Sequence, residues 1–86
     1  MELDFDWNLY RTFYIVAKSK SFSKASKKLY VSQPNVSYTI KQLETKLETK
    51  LFYRNPDGIK LTVEGKELLN YVEKSYNLLI SGKRNL

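Results

Sequence analysis

Between Ser32 and Thr45 the sequence SQPNVSYTIKQLET sets hydrogen-bonding and cationic side chains at helical spacing, with no carboxylate before Glu44. Wound at about 100° per residue, Val36, Ile40, Leu43 and, one turn further, Leu47 fall within about 60° of one another. The opposite side carries Pro34, Tyr38, Lys41 and Thr45, flanked by Gln33, Ser37 and Gln42. Amide, hydroxyl, phenol and ammonium groups on an acid-free helical face can hydrogen-bond base edges and neutralise phosphate, whereas carboxylates there would repel a polyanion.

Other chemistries lack their parts. The 86 residues include no cysteine and no histidine, so no disulfide, no thiolate nucleophile and no familiar zinc site is expected. Gly58, Gly65 and Gly82 are too scattered to cradle a phosphate or a dinucleotide, and no cofactor is implied. The carboxylates Glu44, Glu48, Asp57, Glu64, Glu67 and Glu73 have no histidine or cysteine to pair with and read as ordinary surface acids, so catalysis is not expected. No apolar run approaches the roughly 20 residues of a membrane span, and the acidic start MELDFD is unlike a signal peptide. These features are those of a cytoplasmic protein in a reducing compartment.

The net charge is +6, but its distribution says more. Residues 7–43 hold seven bases (Arg11, Lys18, Lys20, Lys24, Lys27, Lys28 and Lys41) and no acid. A polyanionic partner is the reading this favours over a merely solvated basic surface.

The elements that must position the polar face follow from capping and periodicity. Asp6 is placed to cap a first helix over 7–18, with Leu9 or Tyr10, Phe13, Val16 and Ala17 facing inward. Ser23 can cap a short second helix, KASKKL, with Ala25 and Leu29 inward and Phe22 packing against the bundle. Tyr30-Val31 makes a tight connection, and Ser32 caps a third helix running to Leu47 or Glu48. Pro34 falls in its first turn, where a missing N–H is harmless. LFYR and GIKLT, flanking Asn55-Pro56-Asp57-Gly58, read as a hairpin. Thr62 can cap a last helix over 63–81. Its stripe of Leu68, Val72, Tyr76 and Leu79, widened by Leu69 and Ile80 on one side and by Tyr71 and Leu78 on the other, exceeds what a small domain can cover. A second copy of the chain is the expected cover.

Two short helices joined by a tight turn and followed by a hairpin make a winged helix-turn-helix, whose second helix enters the DNA major groove. At this point residues 21–65 resemble the DNA-binding domain of the LysR-type transcriptional regulators. The resemblance is carried by Ser21-Phe22-Ser23, Ala25, Leu29, Ser32-Gln33-Pro34, Ser37, Ile40, Leu43-Glu44, Leu47, Leu51-Phe52, Arg54, Leu61-Thr62 and Gly65. It implies a mainly α fold: a three-helix bundle with a two-stranded wing over 1–62, then a linker helix and the start of a hinge over 63–86. The linker helix would pair antiparallel with its counterpart in a homodimer. Candidate DNA contacts are Ser32, Gln33, Pro34, Asn35, Ser37, Tyr38 and Lys41 on the recognition helix and Arg54 on the wing. Candidate dimer contacts are Leu68, Leu69, Val72, Tyr76, Leu79 and Ile80. A small-molecule inducer would act only through a C-terminal domain that this chain does not contain. The chain departs from the family pattern at Tyr38, where arginine is usual, at Glu48, where glycine is usual, at Asp57, where the wing is commonly basic, and at Ser26, where alanine is usual.

The expectation is therefore sequence-specific binding of double-stranded DNA, as a dimer on a roughly palindromic site. The rival from another class is a winged-helix module that serves protein contact alone.

Overall fold

The computed structural model describes residues 5–86, so the acidic Glu2 and Asp4 lie outside the described residues. Four helices and one hairpin follow in the order α1 (Trp7–Ser19), α2 (Phe22–Leu29), α3 (Gln33–Leu47), β1 (Phe52–Asn55), β2 (Gly58–Leu61) and α4 (Val63–Arg84). Each helix begins on a side-chain cap that satisfies a backbone N–H with no partner inside the helix. Asp6 accepts from the Asn8 N–H, Ser21 from Lys24, Ser32 from Asn35 and Thr62 from Gly65. The cap of α2 is thus Ser21 rather than Ser23. Phe22 becomes the first helical residue, and the Ser23 carbonyl accepts from the Ser26 hydroxyl at 2.7 Å.

The ends of α1, α2 and α3 share a device that no glycine provides. Lys20, Tyr30 and Glu48 sit just past these helices in the left-handed region, at φ of 57°, 58° and 52°. Two of them form Schellman closures. Tyr30 N–H donates to the Lys27 carbonyl and Val31 N–H to that of Ser26, while Glu48 and Thr49 do the same to Thr45 and Glu44. The tight turn between α2 and α3 therefore depends on a left-handed tyrosine, a conformation that costs about 1–2 kcal/mol for a residue with a Cβ.

One core joins α1, α2, α3 and the root of the wing. Leu9, Phe13, Val16, Ala17, Phe22, Ala25, Val36, Ile40, Leu43, Leu51 and Phe52 are all buried. Leu9 takes the inward place on α1 and Tyr10 is half-buried. Leu47, expected on the inward stripe, is the last residue of α3 and is 37% exposed. Thr39 is buried in its stead, its hydroxyl satisfied by the Asn35 carbonyl at 3.0 Å.

The wing pairs Phe52 with Leu61 and Asn55 with Gly58 in antiparallel register. Gly58 has φ 132°, and the Asn55 side chain accepts from the Asp57 N–H, closing the two-residue turn. Where the wing meets α4, Gly65 packs so closely on the Leu51 carbonyl that an added Cβ would collide with it. The buried Thr62 hydroxyl donates to the Lys50 carbonyl at 2.8 Å. α4 continues past the expected end at 81, running through Gly82 to Arg84, so the first three residues of the segment read as the start of a hinge, 82–86, are helical. No helix among the described residues is long and apolar enough to cross a membrane.

Candidate nucleic-acid interface

α3 lies against the body through Val36, Thr39, Ile40 and Leu43. Because those four share one side, the other side projects outward. Ser32, Gln33, Pro34, Asn35, Tyr38 and Lys41 are exposed and Ser37 is half-buried at the margin. All seven recognition-helix candidates are thus brought onto one surface, starting at a helix N-terminus whose free N–H groups favour anions. Tyr38 is 64% exposed, and its phenol oxygen accepts from the Gln42 amide at 3.4 Å, leaving the phenolic O–H free to donate outward. The Asn35 side-chain oxygen lies 3.5 Å from the Thr39 hydroxyl.

Arg54 belongs to a different element. It is exposed on β1, with its guanidinium over the ring of Phe22. What holds the wing beside α3 is Glu44, which corrects its reading as an ordinary surface acid. Its side chain is only 10% exposed, and one oxygen accepts from the Leu51 N–H at 2.7 Å and the Phe52 N–H at 3.4 Å. Sequence periodicity contains a weak signal of this, since Glu44 falls about 40° from Ile40 on the wheel, at the border of the buried stripe. Nothing in the sequence, however, names amides seven and eight residues away as its partners.

A second surface lies between α1 and α4. An open apolar groove of about 800 Å³ is lined by Trp7, Tyr10, Tyr14 and Ile15 from α1 and by Leu68, Val72, Tyr76 and Leu79 from α4. Leu68, Leu69 and Val72 all pack against the monomer's own core as well, and neither Leu69 nor Ile80 lines the groove. At the edge of this surface Glu73 accepts from Lys18 at 3.0 Å and from the Tyr14 hydroxyl at 3.4 Å. The hydrogen bond and charge of Lys18 hold the Glu73 carboxyl below its ordinary range, and Glu73 in turn raises Lys18. Among the described residues no cluster of acids could hold a metal ion.

A three-helix bundle with a two-stranded wing and an outward-facing third helix defines a winged helix-turn-helix protein. The family model described as bacterial regulatory helix-turn-helix protein, lysR family, matches residues 7–66, and the chain belongs to that family. An uncharacterised HTH-type transcriptional regulator of Methanocaldococcus jannaschii is 43% identical over 74 residues, covering 86% of this chain and 25% of the relative. The regulator HdfR of Salmonella newport is 40% identical over 72 residues, covering 84% of this chain and 26% of its own length. The chain thus spans about a quarter of the curated relatives it matches. Among solved structures, the BenM DNA-binding domain in complex with catB site 1 DNA superposes with a TM-score of 0.82 at 30% identity, covering 94% of each chain. The CbnR DNA-binding domain in complex with DNA gives the same TM-score, identity and coverage.

Proposed function

We propose that this chain binds double-stranded DNA in a sequence-specific manner, as the DNA-binding domain of a LysR-type transcriptional regulator. The observation that carries the reading is the exposed side of α3, which offers amide, hydroxyl, phenol and ammonium groups and no acid before Glu44. A module built for protein contact alone leaves that surface without a role. The relatives solved on DNA use the same fold, which supports the same use here.

In this reading α3 enters the major groove. Gln33 pairs with an adenine edge, Ser37 and Tyr38 contact neighbouring bases, and Pro34 packs on a thymine methyl. Ser32 and Asn35 set the start of the helix against the backbone, and Lys41 neutralises a phosphate. Arg54 adds a contact from the wing. Residues 1–62 form the DNA-binding unit and 63–86 the linker. Two copies join through Leu68, Val72, Tyr76 and Leu79, with Leu69 and Ile80 at the margins. Their two recognition helices then address major grooves about 34 Å apart, which calls for a roughly palindromic site. The chain is a binding module and not an enzyme, and it acts in the cytoplasm, where a bacterial-type chromosome lies. Any inducer acts through a further domain of a longer regulator.

Selection of bound duplexes from a random pool tests this directly. The expected product is a two-fold symmetric consensus with half-sites one helical turn apart. An unenriched pool would refute the proposal.

A further inference from the structure

β1 carries Phe52 and Arg54 two residues apart, so the strand's period of two directs both toward the same side. Phe52 is buried, with its ring centroid 5.5 Å from that of Phe13 and 6.1 Å, at an interplanar angle of 64°, from that of Phe22. The Arg54 guanidinium carbon lies over the same Phe22 ring, 4.4 Å from its centroid. Phe22 opens α2 and is 8% exposed, so the ring that receives the wing's cation belongs to the helix-turn-helix and is itself held by the core. The ion pairs among the described residues are Lys18–Glu73 and Lys50–Glu44, and neither involves Arg54.

We propose that Phe22 is a positioning residue for Arg54, holding its guanidinium against α2 so that the N–H edge meets a phosphodiester of the bound duplex. The inference rests on the DNA-binding reading above and assigns the acceptor and the support of its wing contact. A ring face attracts a cation without using its N–H donors, whereas a carboxylate partner would occupy them. An arginine confined in advance loses less side-chain freedom when it binds. The acceptor assigned is therefore backbone phosphate, and such a contact is indifferent to sequence.

The test is a double-mutant cycle on the dimeric protein. Anisotropy titrations of wild type, Phe22→Leu, Arg54→Ala and the double variant use a selected duplex and a scrambled one. Phe22→Leu is expected to weaken binding about two- to five-fold on both duplexes, to have no further effect once Arg54 is alanine, and to be rescued by Phe22→Tyr. Equal losses in both arginine backgrounds, or a loss confined to the selected duplex, would overturn the proposal while leaving DNA binding intact. Wild-type protein with no salt-sensitive binding to either duplex overturns the DNA-binding reading itself, and this proposal with it. Should Phe22→Leu fail to fold, proton shifts of wild type decide. Arg54 δ-protons moved upfield by the ring current support the contact, and ordinary shifts refute it.

Discussion

Gln33 and Lys41 stand eight positions apart on one helix and, in the proposed complex, do different work. Lys41→Ala should weaken binding similarly on selected and random DNA and lower the slope of log affinity against log salt by about one. Gln33→Ala should instead relax discrimination at one base pair by about 1–3 kcal/mol, with the salt slope kept. Salt titrations of both variants on both duplexes check this, and interchangeable behaviour would sink the division of labour. Glu48 is a residue of a different kind, since it holds φ 52° just past the end of α3. Glycine there avoids a left-handed penalty of about 1–2 kcal/mol but adds unfolded-state entropy worth about 0.5–1 kcal/mol. Glu48→Gly is therefore expected to raise stability by about 0.5–1 kcal/mol in urea denaturation.

The wing is too short to hold itself, being two strands of four residues each, and depends on what grips its root. Glu44 supplies that grip from α3. Glu44→Ala leaves the Leu51 and Phe52 amides without their acceptor and should destabilise the domain by about 1–3 kcal/mol. Faster hydrogen exchange at the Leu51 amide would locate the loss at the wing, and unchanged protection there would contradict the assignment. α4 is tied to α1 more loosely, through Lys18, Glu73 and Tyr14 at a half-exposed site. Because the Glu73 carboxyl titrates below its ordinary range in the folded chain, its contribution is present at neutral pH and is lost as pH falls through the lowered value. The Lys18 ammonium titrates above its ordinary range, so on that side the contribution persists until pH rises past it. Melting curves of wild type and Glu73→Gln should therefore differ slightly at neutral pH, converge in acid, and lie closer together in high salt.

The molecule extends 45 Å along its longest axis against 27 and 22 Å along the others, because α4 projects beyond the bundle. Tyr76, Leu78 and Leu79 on that projection are 50%, 73% and 61% exposed, an apolar surface of the kind that marks an interaction site. In the proposed dimer a second α4 covers it. Leu79→Asp is expected to leave the circular dichroism of the monomer unchanged, to give monomers in light scattering, and to abolish preference for the two-half-site duplex. A variant that remained dimeric would place the interface elsewhere.

Much of this was legible along the chain. The 3.6-residue period of α3 marked Val36, Ile40 and Leu43 as its seat and thereby put Gln33, Ser37, Tyr38 and Lys41 outside, since winding alone separates the two sides. Pro34 behind Ser32 set the helix start because both act on the first, unpaired turn. Local patterning could not reveal Ser21 as the cap of α2, because Ser21 and Ser23 are equally able to cap and Phe22, buried on Phe52, chooses between them. The same holds for Glu44 on the wing amides, Phe22 under Arg54 and Gly65 against the Leu51 carbonyl. In sequence each is an acid, an aromatic or a glycine among several. Helical periods are written in residue order, and so the chain alone settles the centre of the buried stripe of α3, but not its margins, where Leu47 is exposed and Thr39 buried. Partnerships across elements arise only when packing brings distant backbone into reach, and those contacts were decided by the folded arrangement.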